Sequence, residues 1–504
     1  MSTPGQPGQR RRDCPSPRRP SATRPAGCQP APQVLAILTL FIALAAAARA
    51  DQYTALDRYV AAPDSSYHYT LVTTFPASGI TVYEIDLVSQ TWLTSAEVDQ
   101  TGWHHWLTIY KPTQVNTSTA LLVIDGGSNS PTPPTPDPTY VFAAASAGAV
   151  IVDVGQVPNE PLTFAGQTQS VTEDALIAYT WAQYLATGDA RWPARLPMTK
   201  AAVRAMDAAT DFLSKLSTGP FHIRNFAVTG ASKRGWTTWT VAAVDSRVVA
   251  IAPVVIDTLN VQECFVHTWE AYGFWPDAVV DYQNAGIFNW IGTTQMANLM
   301  DIEDPYNYRT RLGLPKYMIY STGDQFFLPD NSQFYFSDLK GEKYLRYVPN
   351  TDHTMQSTDA ILGLLAWMQA VIADAPLPRF FWTEDGNAGT LVVRALDPPS
   401  KALLWQASNP NARDFRLETI GPAWTSTPVT GANGIYAVKM PKPATGFTAY
   451  FLELTFLGPN GSSLVFTTQV AVTPNTYPFA APAGSENISP PPGADGRKTA
   501  QSIH

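Results

Sequence analysis

The sequence predicts an α/β fold, in which a mostly parallel sheet is flanked by helices, followed by a small all-β domain. Two sequence patterns indicate this organisation. Between residues 51 and 375, short apolar runs alternate with segments of helical periodicity, which is typical of a parallel sheet covered on both faces. Between residues 378 and 475, β-branched runs follow one another without a helical period, which favours an immunoglobulin-like β-sandwich. We therefore expect two domains.

Six apolar runs are the predicted strands of the α/β domain: 120–124, 149–155, 226–229, 248–256, 317–321 and 344–348. Helical periodicity follows a capping-box pattern formed by Ser170 and Glu173, resumes after Pro197, and returns over residues 361–372. The Trp-, Tyr- and Asn-rich stretch 258–311 is too long for an ordinary connection, so we interpret it as a cap or lid.

The C-terminal runs predict short strands over 390–395, 402–406, 435–439, 449–456 and 463–472. The tail, residues 480–504, is rich in Pro, Gly and Ser, and we expect it to be disordered.

Composition limits the class of function. The chain has 504 residues, of which 45% are hydrophobic and 15% charged, so it has ample apolar surface for two folded domains. Its formal net charge of −8 argues against nucleic acid as a partner, because nucleic-acid-binding domains cluster Lys and Arg. Metal-ligand spacing of the H-E-x-x-H kind does not occur, and we expect no metal or other cofactor.

The first 50 residues have the features of a leader. Residues 1–33 are basic and Pro-rich, and residues 34–47 form an apolar run followed by Ala48-Arg49-Ala50, which is typical of a signal-peptide cleavage site. We expect cleavage after Ala50 and secretion. Retention as an anchor is the alternative, although a stable membrane span needs ~20 apolar residues. The Arg, Ser and Pro content also resembles a transit peptide.

Two further features agree with secretion. Sequons at Asn116, Asn460 and Asn487 permit glycosylation. Cys264 is the only cysteine after the leader, so we expect no intrachain disulfide in the mature chain.

A candidate nucleophile lies between a predicted strand and a predicted helix, in Val228-Thr229-Gly230-Ala231-Ser232-Lys233-Arg234-Gly235-Trp236. A nucleophilic serine at such a turn needs small neighbours, because strand and helix approach closely there. Gly230 and Ala231 meet this need. The motif departs from G-x-S-x-G, since Arg234 stands two residues after Ser232 and the glycine follows it. The alternative is an ordinary turn in which Ser232 caps the helix.

The chain order supplies the acid and the base that a serine nucleophile needs. Asp324 follows the predicted strand 317–321, and His353 follows the predicted strand 344–348. Serine, then aspartate, then histidine is the order of the α/β-hydrolase fold. We therefore predict a catalytic triad of Ser232, Asp324 and His353.

Other residues compete for these roles. Asp330 is a rival acid, although we expect it to cap a helix that begins at Ser332. His267 lies in the predicted cap and is a rival base. The pair His104-His105 precedes the nucleophile by far, and we interpret it as structural.

Acyl transfer also needs hydrogen-bond donors for the developing oxyanion. We predict the amide of Lys233 as the first donor and that of Gly127 or Ser128 as the second, because residues 125–129 follow an early strand as the oxyanion loop of this fold does. The side chains of Lys233 and Arg234 either place positive charge near an acidic substrate or form ion pairs within the protein.

Longer phrases resemble the PhoPQ-activated pathogenicity-related protein family, which includes autocrine proliferation repressors of slime moulds. They are residues 89–94, 124–129, 158–162, 197–200, 230–235, 256–260, 304–306, 323–330 and 349–353. The resemblance implies an α/β-hydrolase domain with Ser232, Asp324 and His353 in triad positions, and roles in virulence regulation or secreted growth signalling. Locally, the motif around Ser232 also resembles the G-x-S-x-x-G of uronate-ester-cleaving carbohydrate esterases.

Two functional hypotheses follow. The first is a secreted serine esterase that acts on a small-molecule, carbohydrate or lipid ester. The second is a catalytically silent secreted signalling or binding protein on a hydrolase scaffold, with a cell-surface receptor as its partner.

Overall fold

The computed structural model describes residues 53–77, 79–488 and 500–502. The predicted leader lies outside the described residues, as does most of the predicted tail. No helix in these described ranges is long and apolar enough to cross a membrane. Cys264 is buried and is a free thiol.

A single sheet organises the α/β part of the chain. Its strands lie in the order β1-β2-β3-β5-β4-β6-β7-β8-β9. The first three are antiparallel to their neighbours, and β5, β4, β6, β7, β8 and β9 run parallel. Their bounds are β1 His68–Ala77, β2 Ile80–Thr91, β3 Gly102–Pro112, β4 Thr119–Ile124, β5 Ile151–Val154, β6 Asn225–Ala231, β7 Val248–Val254, β8 Lys316–Ser321 and β9 Lys343–Val348.

The parallel strands form because their residues are apolar on both faces. Every residue of β8 and β9 is buried, as expected for strands covered on both sides. Even the lysines that begin them are covered. Lys343 donates from Nζ to the carbonyl oxygens of Phe336 and Leu339, each at 2.8 Å, so this buried ammonium group is hydrogen-bonded.

Helices connect and cover the parallel strands. Among them, α4 packs against both α1 and α5. The helix bounds are α1 Ala55–Ala61, α2 Pro138–Ala147, α3 Glu173–Thr187, α4 Arg195–Ser214, α5 Lys233–Val244, α6 Val261–Tyr272, α7 Val280–Asn284, α8 Thr294–Glu303 and α9 Ala360–Ile372.

The segment interpreted as a cap is a helical insertion between β7 and β8. It contains α6, α7, α8 and short 3-10 turns. Aromatic side chains hold it together, and the rings of Trp275 and Phe288 stack with their centroids 3.6 Å apart. The ring of Tyr282 in α7 packs against that of Trp181 in α3 with 5.5 Å between centroids, which attaches the insertion to the α/β domain.

The C-terminal part is a β-sandwich, and the predicted fold class is confirmed. One of its sheets has the order β14-β11-β10-β18, while β16, β15, β12 and β13 continue the central sheet. The join is a single residue pair, Thr467 with Leu345. The bounds are β10 Phe380–Asp385, β11 Thr390–Ala395, β12 Lys401–Asn409, α10 Leu417–Ile420, β13 Thr425–Pro428, β14 Ile435–Lys439, β15 Phe447–Leu457, β16 Ser463–Thr467, β17 Ala471–Thr473 and β18 Ala500–Ser502.

The predicted capping box of α3 is wrong. The residue that caps α3 is Thr172, and its side chain makes no capping hydrogen bond. Glu173 is the first residue of the helix, with a φ of 52°, and its backbone N–H donates to Glu160 Oε2 at 2.6 Å. Its own carboxylate binds the side chains of Lys233 and Arg234, so it is not available for capping.

Candidate active site

Ser232 occupies a sharp turn between β6 and α5. Its backbone has a φ of 56° and a ψ of −125°, a conformation that a residue with a side chain rarely adopts. The N–H of Ser232 donates to the carbonyl oxygen of Val254 at 2.9 Å, and its own carbonyl accepts from Trp236 at 2.9 Å. These bonds hold a strained serine at the end of a parallel strand, as the predicted nucleophile requires.

Two glycines make this turn possible. A Cβ atom on Gly230 would lie 2.7 Å from the carbonyl oxygen of Arg234. A Cβ atom on Gly235 would lie 2.9 Å from the carbonyl oxygens of both Gly230 and Val254. The second small residue is therefore needed three positions after Ser232, which explains the departure from G-x-S-x-G.

The Arg234 side chain is structural. Its Nη1 and Nη2 donate to the two carboxylate oxygens of Glu173 at 2.9 and 2.7 Å, and its Nε donates to the carbonyl oxygen of Val157. Lys233 Nζ contacts Glu173 at 2.6 Å and Asp174 at 3.2 Å. Burial alone would raise the pKa of Glu173, but Arg234 and Lys233 lower it to about 2. Both cations therefore form ion pairs within the protein, the second of the two predicted alternatives.

The predicted acid and base are in contact. Asp324 follows β8 and His353 follows β9, and His353 Nδ1 lies 2.8 and 3.0 Å from the two carboxylate oxygens of Asp324. The N–H of Phe326 donates to Asp324 Oδ1 at 2.8 Å, and the N–H of His353 donates to Gln325 Oε1 at 3.0 Å. Asp324 thus fixes the imidazole with Nδ1 protonated, which leaves Nε2 available to accept a proton.

The contact between base and nucleophile is not formed in this conformation. Within the described residues, His353 Nε2 is buried without a hydrogen-bond partner. The ring of Phe326 packs on the imidazole with 4.4 Å between centroids. Phe326 and Ser232 line the same small cavity, whose volume is about 40 Å³. The hydrogen bond between Asp324 and His353 is therefore present, whereas the hydrogen bond between His353 and Ser232 remains a prediction.

One of the predicted oxyanion donors, Lys233, directly follows Ser232 and lines the same cavity. Lys233 is the first residue of α5, where backbone N–H groups have no partner within the helix. The loop that contains Gly127 and Ser128 packs on the Arg234 side chain, since a Cβ atom on Gly126 would lie 2.6 Å from Arg234 Nη2. Gly127 has a φ of 107°, a backbone conformation that favours glycine. The roles of Lys233, Gly127 and Ser128 as donors remain predictions.

The rival acid and rival base pair with each other. His267 Nε2 lies 2.8 Å from Asp330 Oδ1, and Arg413 Nη2 lies 2.6 Å from Asp330 Oδ2. All three side chains are buried. Asp330 precedes a 3-10 helix at Asn331–Phe334 but makes no side-chain capping bond, so the predicted capping role is wrong. This cluster joins the helical insertion to the β-sandwich and lies apart from the Asp324–His353 pair.

The pair His104-His105 lies in β3, where one of the two rings is buried. His105 is buried in β3, where Nε2 lies 3.0 Å from Ser89 Oγ and Nδ1 lies 3.1 Å from the carbonyl oxygen of Gly155. Burial lowers the pKa of His105 to about 4, so the ring is neutral near pH 7. These contacts agree with a structural role for His105, whereas the structural interpretation of the pair with His104 remains a prediction.

Arg195, a residue not predicted from the sequence, supports the serine turn from the start of α4. Its Nη1 donates to the carbonyl oxygen of Lys233 at 2.6 Å, and its Nε lies 3.1 Å from Glu303 Oε2. Arg195 is wholly buried and lines the same cavity as Ser232. No local sequence pattern marks it, because its partners are distant in the chain.

The comparisons with known proteins identify the family. A family model described as PhoPQ-activated pathogenicity-related protein matches residues 56–416. The chain belongs to the PhoPQ-activated pathogenicity-related protein family. The chain is similar to autocrine proliferation repressor protein A of Dictyostelium discoideum. The two are 38% identical over 458 residues, which cover 85% of this chain and 92% of the relative.

Solved structures similar to this family member are distant. Acetyl xylan esterase 1 from Thermoanaerobacterium sp. JW/SL YS485 is 14% identical, with a TM-score of 0.42 over 63% of this chain and 91% of that chain. Glucuronoyl esterase from Solibacter usitatus is 15% identical, with a TM-score of 0.35 over 59% of this chain and 86% of that chain. The α/β-hydrolase assignment rests on the strand order and the serine turn of this chain.

Proposed function

We propose that this protein is a secreted serine hydrolase that cleaves carboxylic esters through Ser232, His353 and Asp324. One observation carries the proposal: a strained serine turn after β6 occurs with a contacting Asp324–His353 pair after β8 and β9. An ordinary capping serine needs neither the unfavourable backbone nor such a pair. The α/β-hydrolase scaffold supplies the fold on which this chemistry occurs in other enzymes.

In the proposed reaction, His353 Nε2 removes the proton from Ser232 Oγ as the oxygen attacks the ester carbonyl carbon. Asp324 keeps the imidazole oriented and stabilises the imidazolium that forms. The C–O bond to the alcohol then breaks, His353 protonates the departing alkoxide, and an acyl-serine remains. Water, deprotonated by His353, attacks this ester, and the bond between the acyl carbon and Ser232 Oγ breaks. His353 returns the proton to Ser232 Oγ, and the carboxylic acid leaves.

The negative charge on the carbonyl oxygen needs donors during both attacks. We assign this role to the amide of Lys233 and to that of Gly127 or Ser128, as the sequence predicts. The Arg195 contact to the carbonyl oxygen of Lys233 holds the first turn of α5 in place, and with it the Lys233 amide.

The cavity beside Ser232 favours a short acyl group. Its volume is only about 40 Å³, and its walls include the large rings of Trp181, Trp236, Tyr282 and Phe327. The Trp181 ring contacts two of the others, since its centroid lies 5.9 Å from that of Trp236 and 5.5 Å from that of Tyr282. A long acyl chain would need several of them to move. The alcohol portion of the ester can belong to a small molecule, a carbohydrate or a lipid.

A second function has its own support. The relative in Dictyostelium discoideum is called an autocrine proliferation repressor, and here Phe326 packs on His353 while the base makes no hydrogen bond to Ser232 within the described ranges. A secreted growth regulator that binds a cell-surface receptor on an inactive hydrolase scaffold would fit both observations.

Ester turnover separates the two functions. We expect wild-type protein to hydrolyse p-nitrophenyl acetate faster than p-nitrophenyl octanoate, and Ser232→Ala and His353→Ala each to lose about 10³-fold or more in turnover. The double variant should lose little beyond either single change, because both residues serve one step. Absence of turnover in folded wild type, with a growth effect retained by Ser232→Ala, would favour the regulator.

Secretion is part of the proposal and has a separate test. Intact-mass analysis of protein collected from the medium should give a chain that begins at Asp51 and has no disulfide. A product that keeps the leader or stays with the membrane fraction would contradict the signal-peptide interpretation.

A further inference from the structure

A second cavity lies between α2, α9 and the central sheet. Its volume is about 410 Å³, within the range of about 300–1,000 Å³ typical of small-molecule sites. The sheet contributes aliphatic side chains such as Leu121, Val123 and Ile319, α2 contributes Ala143, and α9 contributes Leu364. This recess is therefore large enough for a ligand and mostly aliphatic.

This cavity is distinct from the one beside Ser232. Ser232 does not line it, and none of the aromatic residues around Ser232 belongs to its wall. It is also lined by Ala231, which precedes the nucleophile, and by Met355, which lies two residues after the base. It is therefore a neighbour of the active site and not its acyl pocket.

The helices on either side of the cavity suit an aliphatic ligand. Neither Pro138–Ala147 nor Ala360–Ile372 contains a charged residue. The residues that α9 places in the wall are themselves aliphatic, namely Ala360, Ile361, Leu364 and Leu365. A recess of this size admits a single chain but not the surface of a bilayer, so we take one free amphiphile as the occupant.

One end of the cavity is acidic. Asp125 and Tyr140 line it, and the pKa of Tyr140 is raised by burial and by the nearby carboxylates of Asp153, Asp125 and Asp137. Within the described part of the chain, none of these three aspartates forms an ion pair, and Asp153 Oδ1 is buried without a hydrogen-bond partner. Burial raises the pKa of Asp153, so the exposed carboxylate of Asp125, which lines the recess, is the negative charge that favours a cationic head group.

We propose that this cavity is a second binding site, which takes one aliphatic chain that carries a cationic head group. The chain lies between Ala143 and Leu364, and the head group meets Asp125 at the acidic end. This site does not depend on the proposed esterase activity, because it uses neither Ser232 nor His353.

Calorimetric titration of the full-length mature protein with three probes tests the site. The probes are decyltrimethylammonium, decyl sulfate and tetramethylammonium, each below the concentration at which it forms micelles. We expect one decyltrimethylammonium to bind, decyl sulfate to bind roughly threefold to tenfold more weakly or not at all, and tetramethylammonium not to bind. Equal binding of the two decyl probes would overturn the cationic head group, and no binding of either would overturn the site.

Two variants and a control locate the binding. Ala143→Phe should abolish decyltrimethylammonium binding by filling the recess, and Asp125→Asn should weaken it roughly threefold to tenfold. Asp99→Asn is the matched control, since Asp99 is exposed, accepts a hydrogen bond from Thr163 and does not line the recess. If Ala143→Phe does not fold, the affinities of Asp125→Asn and Asp99→Asn for decyltrimethylammonium are compared to test the site. Unchanged binding in Asp125→Asn, or equal loss in the control, would refute the proposal.

Discussion

Replacing Gly235 by alanine tests whether the serine turn needs glycine three residues after Ser232. The added Cβ atom would lie 2.9 Å from the carbonyl oxygens of Gly230 and Val254. Both contacts are with backbone atoms, which cannot move away by changing a rotamer. We therefore expect α5 to shift away from β6 and to carry the amide of Lys233 with it.

The size of the effect follows from two opposing terms. Alanine in a helix interior is favoured over glycine by about 1 kcal/mol. Overpacking against fixed neighbours typically costs about 1–3 kcal/mol, and two backbone contacts place this site near the upper end. We expect a net loss of about 1–2 kcal/mol in the free energy of unfolding.

Denaturant unfolding gives the stability, and the rate of labelling by a fluorophosphonate gives the state of the site. Gly313→Ala is the matched control, because a Cβ atom there meets nothing within 4 Å and its φ is not positive. We expect Gly235→Ala to lose both stability and labelling, while Gly313→Ala keeps both. A Gly235→Ala protein with wild-type stability and labelling rate would refute the argument that this glycine shapes the turn.

Three further predictions concern the triad and its neighbours. Asp324→Asn should reduce ester turnover sharply with little loss of stability. Asp330→Asn should retain most turnover per folded molecule and lose about 3 kcal/mol in the free energy of unfolding, because it breaks a buried ion pair. The reverse pattern would make Asp330 the catalytic acid. Phe326→Ala should enlarge the cavity beside Ser232 and raise the butyrate-to-acetate ratio of turnover roughly tenfold, and an unchanged ratio would contradict the acyl-size argument. Burial alone would raise the pKa of Asp330, but Arg413 and His267 lower it. The carboxylate therefore stabilises the fold fully above about pH 4, and this contribution is lost as the pH falls further. The free energy of unfolding, measured across that range, should therefore depend less on pH in Asp330→Asn than in wild type.

Much of the site could be predicted because the topology of a parallel sheet determines where the residues that follow its strands lie. Strands covered on both faces are mostly apolar, so β6, β8 and β9 are visible as largely apolar runs in the sequence. Their carboxyl ends meet at one edge of the sheet, which brings Asp324 and His353 together although they are distant in sequence.

The remainder depends on contacts that leave no local pattern. Glu173 follows Ser170 at capping-box spacing, yet a stronger pairing with Arg234, 61 residues away, takes its carboxylate. Arg195 reaches Glu303 across 108 residues. The pairing of Thr467 with Leu345, which joins the sandwich to the central sheet, depends in the same way on the assembled fold and not on periodicity.

The central claim is that Ser232 is an activated nucleophile. Fluorophosphonate treatment of the wild-type protein, followed by peptide mass analysis, tests it most directly. We expect one phosphonate adduct on Ser232, slower labelling in His353→Ala, and no adduct in Ser232→Ala. No adduct on folded wild-type protein, or labelling that persists unchanged in Ser232→Ala, would contradict it.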